Sequence, residues 1–126
     1  MLTRQEILEK IQIDKKDLYY LDLSEKDLSG LNLSHINLEY VNLFDTNLSN
    51  TNLSNANLRH INGIYANFTG ANLFEANFEN ANLEGANLCG ANLIRANFTN
   101  ANLTDANVSW AITTDTIFTN AKLERS

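Results

Sequence analysis

The chain has 126 residues, 44% of them hydrophobic, and a formal net charge of −6. That length suits one domain, and that apolar content argues against disorder. No apolar run approaches the ~18 residues needed to span a bilayer, and no basic stripe is present to meet phosphates, so a membrane location and direct nucleic-acid binding are both disfavoured.

In chain order, residues 1–15 read as a cap and linker. Thr3 followed by Glu6 forms a capping box, and Leu2 with Ile7 forms a hydrophobic staple. Ile7, Leu8 and Ile11 make one helical stripe. Together they predict a short helix near residues 4–11 that covers the start of the remaining chain. Arg4, Glu6, Glu9 and Lys10 interrupt any apolar stretch, so this is not a signal peptide. Cys89 is the single cysteine, which rules out an internal disulfide and fits a reducing, cytoplasmic setting.

From residue 16 the chain is periodic. Starting at Leu18 and stepping by five, large apolar residues stand at twenty of 22 positions, Gly63 and Thr113 being the exceptions. Two residues before each, alanine occupies eleven of twelve steps from Ala56 to Ala111, with Ile61 the exception. One residue before each, asparagine runs unbroken from Asn32 to Asn107, and Asp17, Asp22 and Asp27 precede it. A period of five belongs neither to a helix nor to a plain strand. Within each unit, however, the two apolar positions are two apart, and extended chain sends such residues to one side. Leucine and alanine therefore point inward, asparagine and the two following residues point outward, and a turn restores the phase. Asparagine suits that turn because its side chain hydrogen-bonds neighbouring backbone and it tolerates unusual dihedrals.

With runs such as ANLEGANLCGANLIRANFTNANL at 81–103, the chain resembles the pentapeptide repeat proteins, in particular short members of the cyanobacterial type. The resemblance implies an all-β fold: a right-handed quadrilateral β-helix with four pentapeptides per coil, here about five coils and about 25 Å of rod at about 4.8 Å per rung. Phe78, Phe98 and Phe118 recur at that interval, and Phe68 does not. The regular repeats occupy residues 16–110. Residues 111–126 are a degenerate end: Ile112 and Ile117 stand where asparagine stood, and Thr113 takes an inward slot. This segment either folds over the last coil or meets another chain, and Ile112 and Ile117 are candidate contacts of a homodimer.

No catalytic, cofactor or metal constellation is legible. His35 and His60 stand in different columns and away from Cys89, and Gly30, Gly70, Gly85 and Gly90 hold turn positions rather than a phosphate loop. Residues twenty apart should stack. Glu39, Arg59 and Glu79 then alternate in sign, as do Glu75, Arg95 and Asp115, which reads as mixed ladders of small energetic worth. Apolar outward residues form further columns: Phe44 with Ile64 beside Tyr65, Phe74 with Ile94, and Tyr20, Tyr40 and His60, with Trp110 near the end. Phe44, Ile64, Tyr65, Phe74, Ile94 and Trp110 are the candidate partner surface. At Gly63 a leucine-sized void or a local bulge is expected, with Ile61 filling part of it. The expected function is a non-enzymatic scaffold that binds an unknown protein. The alternative is a DNA-mimicking regulator of a type II topoisomerase such as gyrase, which the resemblance suggests and the interleaved Arg59 and Arg95 weaken.

Overall fold

The computed structural model describes residues 2–13 and 18–125, so the linker beyond residue 13 and Asp17 lie outside the described residues. Helix α1 spans Arg4–Ile13, two residues longer than its stripe required. Its start is the capping box read from sequence. Glu6 N–H donates to Thr3 Oγ1 and Thr3 N–H donates to Glu6 Oε1, each at 3.1 Å. Backbone and then side-chain hydrogen bonding from Thr3 hold the Glu6 carboxyl below its usual range. Ile7 is fully buried, and Leu2 and Ile11 pack against the same core.

The rest of the described chain is one continuous coil. Every rung pairs with the next through parallel bridges at residues twenty apart, from Asp22 with Asn42 to Asn102 with Lys122. Four pentapeptides therefore make one turn. Each wall contributes a single bridging residue, at the asparagine position, before the chain bends again.

The backbone accounting of one unit explains the repeat. In Ala86–Gly90, Ala86 N–H donates to the Leu83 carbonyl at 3.0 Å and closes the preceding turn. Asn87 N–H reaches the previous coil at the Ala66 carbonyl, 2.9 Å away. Leu88 and Gly90 N–H reach the following coil at the Asn107 and Ser109 carbonyls, 2.7 and 2.9 Å away. Only the Cys89 N–H is left, and it donates to Asn87 Oδ1 at 2.9 Å. The same side-chain bond, to the amide two residues on, repeats from Asp22 to Asn107 without a gap. Asparagine thus supplies the one acceptor that the backbone cannot, because an unpaired amide at a tight turn is costly. At Asp22 and Asp27 the acceptor is a carboxylate. Side-chain and backbone hydrogen bonds from Ser24 and Ser29 lower the respective aspartate pKa values.

Unusual backbone falls elsewhere than expected. The asparagines at the bridging position stay out of the left-handed region, and the left-handed residue is the last of each unit, with φ between 53° and 72° from Tyr20 to Asn120. Inward leucines, alanines and phenylalanines are buried from Leu18 through Leu103, except Leu21 and Leu31 in the first coil, which are half-buried. Phe78 stacks on Phe98 at 4.7 Å and Phe98 on Phe118 at 5.5 Å, while Phe68 meets Phe78 edge-on from the opposite wall at 5.7 Å. Gly63 makes no bulge, since Asn62 stays in register with Asn42 and Asn82. A Cβ at Gly63 would lie 2.7 Å from Leu83 and 3.2 Å from Ile61, so those two side chains fill the space of the missing leucine. Residues 111–125 do not fold across the end. They continue the coil, with Ile112 and Ile117 bridged to Asn92 and Asn97.

Asn87→Ala should lower stability by about 1–2 kcal/mol by leaving the Cys89 amide without an acceptor. Asn87→Asp, which keeps the acceptor, should cost less. Urea unfolding midpoints of the two variants check this.

Candidate interaction surface

The core occupies the inward side chains, and the asparagine oxygens are committed to turns. What remains for recognition is the pair of turn positions after each leucine. Their columns are set by the twenty-residue register.

On one column, Tyr20, Tyr40 and His60 form a continuous stack, with ring centroids 4.8 and 4.6 Å apart and planes within 6° and 5°. Tyr19 adds an edge contact to Tyr20 at 5.4 Å. The stack offsets the cost of placing bulky rings on left-handed backbone. On another column, Phe44 and Ile64 are half-buried, and Tyr65 stands 58% exposed with its ring edge-on to Phe44 at 6.1 Å. Tyr65 also lies across Gly85, one coil on. A Cβ there would meet the tyrosine ring at 2.5 Å, so Gly85 makes room for the ring.

The remaining candidates do not join this patch. Phe74 and Ile94 differ from Phe44 and Ile64 by half a coil, which puts them on the opposite wall, and they are half-buried rather than open. Trp110 is 89% exposed, on the last coil. Ile112 and Ile117 are exposed there too, as expected, and so is Thr113, because no further rung covers it among the described residues.

The charged columns are only partly ladders. Arg59 lies 2.9 Å from Glu39 and 3.9 Å from Glu79, which completes that column. Arg95 pairs with Glu75 at 3.3 Å, but Asp115 stays outside the pair. The described residues contain no group of three or more His, Cys, Asp or Glu side chains able to hold a metal ion, and none of their helices is long and apolar enough to cross a membrane. Sequence reading missed Thr46 and Thr51. They are buried in alanine positions because their hydroxyls donate to the Leu23 and Leu48 carbonyls at 2.9 and 2.7 Å.

Pentapeptide repeats match the chain in eight copies, over residues 42–80, 71–109 and 81–120. The chain belongs to the pentapeptide repeat family. Membership implies right-handed winding for the four-sided coil. Among solved pentapeptide repeat structures, HetL of the cyanobacterium Nostoc sp. strain PCC 7120, involved in heterocyst differentiation regulation, is 29% identical over 86% of this chain and 48% of its own, with a TM-score of 0.52. This chain thus spans about half of HetL's length. A thylakoid-lumen pentapeptide repeat protein of Arabidopsis thaliana is 30% identical over 82% of this chain and 61% of its own, with a TM-score of 0.35. QnrB1, a plasmid-mediated fluoroquinolone resistance protein, is 21% identical over 70% of this chain and 53% of its own, with a TM-score of 0.38. No curated protein matches the chain in sequence.

Two glycines of this pentapeptide repeat protein give a matched test of the Tyr65 contact. Gly85 and Gly90 share a left-handed φ, 67° and 68°, but only Gly85 has a side chain over it. Gly85→Asn should cost about 1–3 kcal/mol by overpacking against the tyrosine ring, and Gly90→Asn should be near neutral. Thermal unfolding of both variants, with and without Tyr65→Ala, reads the difference.

Proposed function

We propose that the protein is a non-enzymatic interaction module: a rigid rod, in a cytoplasmic setting, that presents one decorated wall to a protein partner. The observation that carries this is Tyr65. It is a bulky aromatic on left-handed backbone, where such residues are disfavoured, and it is supported by Phe44 and by the space over Gly85 yet still 58% exposed. Local structure does not call for tyrosine there; asparagine or glycine would suit the backbone better. A half-exposed ring held by packing is the type of anchor that concentrates binding energy at protein interfaces. Ile64 extends the apolar ground around it. HetL's part in regulating differentiation is a role that such a module can fill.

A DNA-mimicking role at a type II topoisomerase would be served by an unbroken acidic row. Arg59, bridging Glu39 and Glu79, interrupts the row that stands best placed for it, which favours the scaffold reading.

A photoreactive phenylalanine analogue at position 65, compared with one at Asn55 on the opposite corner, tests the proposal in cells of the native host. Saturable crosslinking of one protein at position 65 and not at 55 is expected, with about a ten-fold loss of yield when Phe44→Asp is added. Equal labelling at both positions, or none at 65, would exclude this wall as a binding face.

A further inference from the structure

Acids at the turn positions are paired by register. Glu39 is answered one coil on by Arg59 at 2.9 Å, and Glu75 by Arg95 at 3.3 Å. Arg59 also reaches Glu79, on its other side, at 3.9 Å. Between residues 24 and 104, the turn acids with no arginine twenty residues away are Glu25, Asp45 and Glu84. All three stand on the Tyr65 wall, and among the described residues no ion pair reaches them. Lys26 adjoins Glu25, which leaves Asp45 and Glu84 as the acids beside Tyr65.

The opposite wall supplies a matched case. It repeats the same step of phenylalanine and then isoleucine, Phe74 and Ile94 there against Phe44 and Ile64 here. The next residues are Glu75 and Arg95 on that wall, and Asp45 and Tyr65 on this one. Asp45 thus stands in the place of Glu75, and Tyr65 in the place of Arg95. On the opposite wall the carboxylate is neutralised within the chain. On this wall Asp45 is exposed, and one coil on it meets a 58% exposed ring that carries no charge. Glu84 borders the ring from the far side, next to Gly85. Backbone does not force the exchange, since Arg95 holds a φ of 61° and Tyr65 one of 58°.

We propose that the Tyr65 wall binds its partner protein through an arginine, which supplies from outside the guanidinium that Arg95 supplies on the opposite wall. This rests on the reading of Tyr65 as a binding anchor and adds the chemistry of the partner. The guanidinium would pair with Asp45 and lie against the Tyr65 ring, with Glu84 keeping the surroundings negative. Arginine serves both contacts, because its planar fork matches a carboxylate in two parallel bonds and its cation is drawn to an aromatic ring. Lysine, a compact and strongly hydrated point charge, serves them less well. Phe44 and Ile64 give apolar ground for the side chains beside that arginine. A second copy of this chain is a poor source of it, since Arg4, Arg59 and Arg95 are engaged within the chain.

The probe is the peptide acetyl-Leu-Arg-Leu-amide, and the control carries citrulline in place of arginine, which keeps the shape and removes the charge. Each is titrated into the full chain while the Tyr65 ring and Ile64 methyl resonances are followed by NMR. The arginine peptide should shift both saturably and bind about ten-fold tighter than the control. Asp45→Asn should weaken the arginine peptide about ten-fold and leave the control unchanged. Tyr65→Arg, which rebuilds the arrangement of Glu75 and Arg95 within the chain, should abolish the response read at Ile64. Equal binding of the two peptides would overturn the proposal and leave Tyr65 as an apolar anchor. No saturable shift with either peptide would overturn it too, as would a dimer in sedimentation that Asp45→Asn dissociates. Crosslinking at position 65 judges the wall independently of this charge.

Discussion

One hydrogen bond organises this molecule: the asparagine Oδ1 that accepts the amide two residues later. Four of the five amides of a pentapeptide find backbone carbonyls, two along the coil axis in one direction, one in the other and one across the turn. The fifth has none, and a fold that bends every five residues would accumulate one unpaired amide per bend. Asparagine reaches it, stays neutral, and stacks on itself. Asn57 Nδ2 donates to Asn37 Oδ1 at 3.2 Å, and Asn92 and Asn102 do likewise to Asn72 and Asn82 at 3.4 Å. Aspartate can make the turn bond, but a column of aspartates would set like charges on successive rungs. It is found at Asp22 and Asp27, on the first coil, where Asn42 Nδ2 donates to Asp22 Oδ1 from one side only.

Much of the fold was legible because period and chemistry agreed. Spacing two within five put leucine and alanine inside, and the phenylalanine recurrence at twenty matched the register observed. The position of the left-handed residue was harder to read. Asparagine is at ease on such backbone, yet here its side chain is needed for the turn bond, and the strain moves to the last position of the unit. That position accepts tyrosine, tryptophan, arginine and glutamate as well as glycine and asparagine, so local propensity gives little warning. Gly63 was legible as a defect but not as a filled one, because Leu83 leans in from the neighbouring coil.

The candidate surface was less legible. Column arithmetic identified which residues stack but not how far a ring lies down against the coil. Phe44, Ile64, Phe74 and Ile94 are half-buried, while Tyr65 stands out. The arithmetic also held the fact that half a coil separates Phe74–Ile94 from Phe44–Ile64, which makes two walls of what reads as one group of residues.

The turn bond can be isolated from everything else in the last described coil, whose units lie at the same end of the rod but differ at the asparagine position. Ser109 N–H donates to Asn107 Oδ1 at 2.9 Å, while Ile112 and Ile117, in place of asparagine, offer no acceptor to Thr114 and Thr119. Native-state hydrogen exchange, residue by residue, is the direct measurement. The account predicts a Ser109 amide protected about ten-fold or more beyond those of Thr114 and Thr119. Equal exchange at the three would contradict the claim that asparagine holds the turn.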